Sequence, residues 1–264
     1  MAAEVRGHSI AYQHAGKGSP LVLLHGFLCD SRAWRRQLAD LSDEFTVVAW
    51  DAPGAGRSFD PPGPFTITDW AHSLAAFLNV IGVDRGILLG LSWGGVLAQE
   101  FYRLFPARVM GLVLADTYAG WKGSLGDSVA QARLVRCVRE SSLPADDFVA
   151  RWVPREFFTA ASRELEDEMS AVVSTFHPAG FRLMAKALAD TDMTKFLPSI
   201  AVPTLLLWGD GDQRSPLSVA DQFRLGIPNA RLEVIPNAGH VSNMEQPERF
   251  NAEVRKFCQA SGAH

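Results

Sequence analysis

The chain has 264 residues, of which 47% are hydrophobic and 20% charged, enough to bury a substantial core and unlike the make-up of a disordered protein. A formal net charge of −4, with no run of lysine or arginine, argues against a nucleic-acid or anionic-membrane partner. No stretch approaches the roughly eighteen apolar residues of a membrane span, and the opening residues lack the apolar core of a secretory signal, so a cytoplasmic location is expected.

In chain order, continuous apolar runs at residues 20–25, 45–50, 86–91, 109–115, 204–208 and 231–235 read as strands covered on both faces. Helical periodicity lies between them. Residues 31–41 carry Trp34, Leu38 and Leu41 on one side, and residues 68–81 carry Trp70, Leu74, Phe77, Leu78 and Ile81, with Thr68 and Asp69 as a cap and Gly82 as a stop. From about residue 120 to residue 202 there are helical segments, at 127–140, 145–152, 160–173 and 178–190, without a convincing strand. The final helix, 247–258, opens with Pro247. This order predicts an α/β fold: a mostly parallel sheet with helices on both faces, and a helical lid inserted before the last two strands. The expected division is a core of 1–119 plus 203–264 and a cap of 120–202. Cys29, Cys137 and Cys258 are an odd, widely spaced set without a CxxC pair, expected as free thiols.

The segment Gly90-Leu91-Ser92-Trp93-Gly94 joins a strand-like run to a helix-like one. A serine flanked by glycines at such a junction has the layout of a nucleophile elbow, where a tight, strained turn lifts the hydroxyl above the sheet. Its hydroxyl needs a base. Of seven histidines, His25 and His240 follow strands, where active sites of α/β sheets gather; His8, His14, His72, His177 and His264 fall on edge, helix or tail positions. Base-last chain order selects His240. The carboxylate that orients it is expected to be Asp212, with Asp116 and Asp210 as alternatives. Two backbone N–H groups, of Phe27 after the first strand and of Trp93 after the serine, are the expected oxyanion donors. His25, Gly26, Trp121, Trp152, Phe158 and Val241 are the expected pocket residues, and Trp93 is expected to fill the pocket floor. Arg133, Arg136, Arg139, Arg151 and Arg155 are candidates for binding a substrate carboxylate.

Several motifs carry a resemblance: His25-Gly26-Phe27, the segment from Asp51 to Ser58, Gly90-Leu91-Ser92-Trp93-Gly94-Gly95, Gly209-Asp210-Gly211-Asp212, and the segment from Gly239 to Pro247. Across nearly its whole length the chain resembles the α/β-hydrolases, and within them the 3-oxoadipate enol-lactonase and cofactor-free haloperoxidase-like esterase group. The resemblance implies Ser92, Asp212 and His240 as a triad, no metal and no organic cofactor. The chain departs from the enol-lactonase pattern at His25-Gly26-Phe27, where an Asn-Ser type loop is usual, and at Trp93, where methionine is usual. The expected activity is hydrolysis of a carboxylic ester or lactone through an acyl-enzyme, on a small-molecule substrate. Alternatives are carbon–carbon hydrolysis, a lyase reaction or cofactor-free oxygenation at the same triad, or a small-molecule sensor of low turnover.

Overall fold

A computed structural model describes residues 1–159 and 161–262; Ala160, expected to open a helix, and His264 lie outside the described residues. Eight strands form one sheet in the order β1-β2-β4-β3-β5-β6-β7-β8. They are β1 (Ala2–Val5), β2 (His8–Ala15), β3 (Pro20–Leu24), β4 (Thr46–Trp50), β5 (Gly86–Leu91), β6 (Val109–Ala115), β7 (Thr204–Gly209) and β8 (Ala230–Ile235). From β4 onward every neighbouring pair is parallel, and β1 and β2 add an antiparallel edge. All six expected strands are present. The β1–β2 hairpin was not expected. Its strands are only half covered and carry His8, Ser9, Gln13 and His14, so no continuous apolar run marks them. Arg6 and Gly7, at φ +52° and +81°, make the tight turn between them.

Helices cover both faces. α1 (Arg35–Leu41) packs against α11 (Pro247–Ala260), and α2 (Ile67–Val80) against α3 (Trp93–Leu104). The cap of α2 lies two residues before the expected Thr68. Thr66 and Asp69 close a reciprocal box, in which the Thr66 N–H donates to Asp69 Oδ2 (2.8 Å) and the Asp69 N–H to Thr66 Oγ1 (3.3 Å). α9 (Leu217–Gly226) links β7 to β8, and the short α10 (Ser242–Glu245) precedes α11. Among the described residues no helix is long and apolar enough to cross a membrane.

Between β6 and β7 run α4 (Trp121–Leu125), α5 (Asp127–Glu140), α6 (Ala145–Glu156), α7 (Arg163–Val173) and α8 (Pro178–Asp190). These helices sit on the loops that leave the carboxyl ends of the strands. Phe27, after β3, meets Trp121, Trp152 and Phe181. After β8, the His240 N–H donates to the Phe157 carbonyl (2.9 Å), and the side chain of Glu245 accepts from the Thr159 and Gly239 N–H groups.

At the start of α8, His177 bonds Asp60 (2.6 Å) and the Gly56 carbonyl (3.0 Å). Gly180 there lies against Gly54 so closely that a β-carbon on it would come within 1.9 Å of the Gly54 carbonyl oxygen. Neither backbone can yield locally. Gly180→Ala is therefore expected to cost about 1–3 kcal/mol of stability, seen as a melting temperature lower by about 2–4 °C per kcal/mol. Gly63→Ala, where a β-carbon would meet nothing within 4 Å, serves as the neutral control.

Candidate active site

Ser92 stands between the end of β5 and the first turn of α3, at φ +53° and ψ −116°. A non-glycine residue in that region stores about 1–3 kcal/mol of strain. The turn is held by the Ser92 N–H, which donates to the Ala115 carbonyl at the end of β6 (2.9 Å). Its flanking glycines are required by close approach. A β-carbon on Gly94 would fall 2.1 Å from the Leu24 carbonyl oxygen, and one on Gly90 would fall 2.3 Å from that of Gly94.

His240, in the loop between β8 and α10, places Nε2 2.9 Å from Ser92 Oγ and Nδ1 2.8 Å from Asp212 Oδ2. A carboxylate oxygen only accepts, so Nδ1 is assigned the hydrogen and Nε2 is left to accept from the serine hydroxyl. The other oxygen of Asp212 accepts from the Arg214 and Ser215 N–H groups (2.8 and 2.9 Å), which fixes the carboxylate in the loop after β7. Ser92 and His240 are each only 3% exposed.

The two other carboxylates do different work. Asp210 accepts from the Ala238 N–H (3.3 Å) and braces the loop before His240. Asp116, fully buried at φ +46° after β6, accepts from the Gly209 N–H (2.8 Å) and from the Ser242 hydroxyl (2.6 Å). It ties the loops that carry Asp212 and His240 together. Burial, and then the nearby charge of Asp212, push the Asp116 carboxyl well above the usual carboxylate range.

Burial also holds the His240 imidazole below its ordinary range. Asp212 opposes that shift, and the charges of Arg214 and Arg133 add to it. A general base must be neutral to act, so kcat/KM for an uncharged ester is expected to rise with pH and level off. Its half-maximal point should lie below the ordinary imidazole value of about 6.5. A pH–rate profile checks this, and a midpoint above about 7 would contradict a base shaped by burial.

The loop after β3 turns between Gly26 and Cys29, whose N–H donates to the Gly26 carbonyl (3.1 Å), with Leu28 at φ +68°. A β-carbon on Gly26 would touch the Ser92 β-carbon at 3.4 Å, so this turn abuts the serine. Among the described residues the N–H groups of Phe27 and Trp93 have no hydrogen-bond partner. His25 departs from the expectation of a pocket residue. Its Nδ1 bonds the Gly26 carbonyl (2.8 Å), its Nε2 accepts from the Ala52 N–H (3.0 Å), and no ring nitrogen is left for a ligand. The Cys29 thiol is pushed up to about 12, by burial first and Asp30 second, and is inert.

Trp93 faces the core rather than an open floor: its ring packs on Trp70 (5.1 Å) and His25 (6.1 Å). The open space is elsewhere. A cavity of about 240 Å³ is lined by Trp121, Arg133, Arg136, Trp152, Gln213 and Arg214. A larger depression, between α1 and α11, is an open surface groove. Phe158 is half-buried and Val241 buried, and neither is among the described residues lining the cavity. Of the five candidate arginines, Arg136, Arg139 and Arg151 converge on the buried Glu140; the Arg155 side chain lies outside the described residues. Arg214, not singled out from the sequence, places its guanidinium 5.3 Å from the centre of the Phe27 ring and 5.7 Å from that of Trp152. Its position two residues beyond Asp212 was the available signal.

A family model described as "Alpha/beta hydrolase family" matches residues 21–253. Among curated proteins, 3-oxoadipate enol-lactonase 2 of Acinetobacter baylyi is 29% identical over 223 residues, covering 84% of this chain and 81% of the relative. Among solved structures, a malate-bound thermophilic esterase from Thermogutta terrifontis superposes with a TM-score of 0.90 at 30% identity, covering 99% of this chain and 98% of that one. The enol-lactonase from Burkholderia xenovorans LB400 superposes at 0.89 with 24% identity, covering 98% and 100%, which speaks to the fold.

Proposed function

The chain belongs to the alpha/beta hydrolase family, and from that premise we propose that it hydrolyses carboxylic esters or lactones through Ser92, His240 and Asp212. The observation that carries this reading is the unbroken hydrogen-bonded line from Ser92 Oγ through the imidazole to Asp212. Ser92 Oγ attacks the substrate carbonyl carbon while His240 Nε2 takes its proton, and Asp212 stabilises the imidazolium that forms. The Phe27 and Trp93 N–H groups receive the resulting oxyanion. Collapse of the tetrahedral intermediate breaks the bond to the alkoxy oxygen, which leaves with the proton held by His240. In a lactone that alcohol stays attached to the acyl chain. Water then attacks the acyl-enzyme, giving its proton to His240, and a second collapse releases the acid and restores Ser92 with its hydrogen.

Residues 120–202 act as a lid in this scheme, excluding bulk water from a serine with almost no exposed surface. Three buried cysteines that form no disulfide among the described residues support a cytoplasmic location. The reading is tested by treating the protein with a small fluorophosphonate and following the mass of the peptide bearing Ser92, alongside turnover of p-nitrophenyl esters. Stoichiometric labelling at Ser92 that abolishes turnover is the expected result. Labelling without any turnover would move the protein to the low-turnover sensors, and no labelling at all would overturn the role of the serine.

A further inference from the structure

Resting on the hydrolase reading, we propose that Thr117 and Ser215 are positioning residues for the reaction. Their two hydroxyls join the turn that carries Ser92 to the loop that carries Asp212 by a route that bypasses His240, and so fix the gap in which the imidazole works.

The route starts at the strained residue. Ser92 sits at φ +53°, and such a backbone persists only where its surroundings over-determine it. Its N–H donates to the Ala115 carbonyl (2.9 Å). Its carbonyl accepts the Gly95 and Val96 N–H groups of the opening helix turn (3.0 and 3.4 Å) and also the Thr117 hydroxyl (2.5 Å). The segment leaving β6 therefore grips the serine at both its backbone N–H and its carbonyl. Gly95 lies just past the elbow, and its lack of a side chain is explained by the same contact: a β-carbon there would fall 2.3 Å from Thr117 Oγ1. Gln99 ties α3 to the segment once more, its side-chain amide donating to the Tyr118 carbonyl (2.8 Å).

On its other side the segment meets the acid loop. The Thr117 carbonyl accepts the Ser215 hydroxyl (2.6 Å), and the Ser215 N–H donates to Asp212 Oδ1 (2.9 Å). The Ser215 carbonyl accepts the Trp208 indole N–H (2.7 Å), so every polar group of this residue is engaged. A carbonyl only accepts, which makes each hydroxyl the donor in its bond. Thr117 and Ser215 are fully buried, so water does not compete for either bond. With the bonds from Ser92 Oγ to His240 and from His240 to Asp212, the result is a closed ring of Ser92, His240, Asp212, Ser215 and Thr117. The sheet order explains why this segment serves. β6 lies between β5, which leads into the serine, and β7, which leads into the acid.

Cutting the ring at a hydroxyl leaves the spacing of serine and acid to the imidazole alone. A displacement of about 1 Å at reacting groups can cost about a hundredfold in rate.

The test pairs Thr117→Ala with Thr117→Ser, two variants that differ by the hydroxyl alone. The substrate is p-nitrophenyl acetate, and active sites are counted by fluorophosphonate labelling. Turnover per labelled site is expected to be about ten- to thirtyfold higher for the serine variant. KM should stay within about twofold, because neither residue is among the described residues lining the cavity. Ser215→Ala, which cuts the route at its other end, should lower kcat by at least about fivefold, and the double variant by little more than the larger single loss. A serine-to-alanine ratio of about three or less at position 117 overturns the proposal and leaves the hydrolase reading standing. So does a lowered melting temperature with unchanged turnover per labelled site, the mark of a purely structural role. Should Thr117→Ala not fold, Ser215→Ala decides by the same limit. If the wild type neither turns over the ester nor takes the label, the hydrolase reading fails. The proton NMR resonance of the His240 Nδ1 hydrogen, assigned by its loss in Asp212→Asn, then decides. A resonance kept in Thr117→Ser and lost in Thr117→Ala supports the positioning role, and any other pattern overturns it.

Discussion

Ester hydrolysis by Ser92→Ala is expected to fall by at least about 10⁴-fold, with the fold unchanged. Alanine keeps the β-carbon, so the turn at φ +53° and its bond from the Ser92 N–H to the Ala115 carbonyl are not asked to rearrange. What disappears is the oxygen hydrogen-bonded to His240 Nε2. The proposed oxyanion donors survive, so a small residual rate over uncatalysed hydrolysis should remain. Circular dichroism and a melting curve establish that the variant is folded, and fluorophosphonate labelling should vanish with the activity. A variant that is folded, unlabelled and still within about tenfold of wild-type turnover would mean that His240 activates water directly rather than through an acyl-enzyme.

Asp212→Asn should lower kcat by a similar factor, about 10⁴. The amide oxygen can still accept from the Arg214 and Ser215 N–H groups, which keeps the loop in place. It cannot offset the positive charge that develops on His240, and its NH₂ group favours the wrong imidazole tautomer. Asp116→Asn makes the informative contrast. Asp116 bonds the Gly209 N–H and the Ser242 hydroxyl rather than the imidazole, so asparagine leaves the partner of His240 in place. The carbonyl oxygen can still take the Gly209 N–H. A loss below about tenfold is expected there, mostly from loosening of the Ser242 contact. If the two variants exchanged these outcomes, the acid that serves His240 would be Asp116.

The parts of the molecule legible in its sequence are those whose chemistry is local. β5 and β6 match the expected bounds because both faces are covered and every step of the run is apolar or glycine. The elbow was legible for the same reason, since the close approaches of Gly90 and Gly94 are properties of five consecutive residues. His240 was reached from strand order, and in the structure its ring bonds Ser92 and Asp212. Asp212, Asp210 and Asp116 could not be separated by residue type, because all three follow strands. What separates them is the direction of each side chain, which depends on partners such as Ser215 and Ser242. The cavity was further out of reach. Arg133 and Arg214 are 81 positions apart, and their pairing is set by how α5 settles on the loop after β7. His25 shows the opposite hazard: its position beside the serine suggested a ligand contact, while two backbone groups take both nitrogens.

The join between the helices above the sheet and the base below them is made largely from main-chain atoms. The His240 N–H meets the Phe157 carbonyl, and the Thr159 N–H meets Glu245, so neither bond depends on which side chains stand at 157 and 159. Trp121, Arg133 and Trp152, by contrast, line the cavity of about 240 Å³. Side-chain exchanges at those three positions are expected to leave these main-chain bonds in place, which makes the helices above the sheet a tractable place for directed changes.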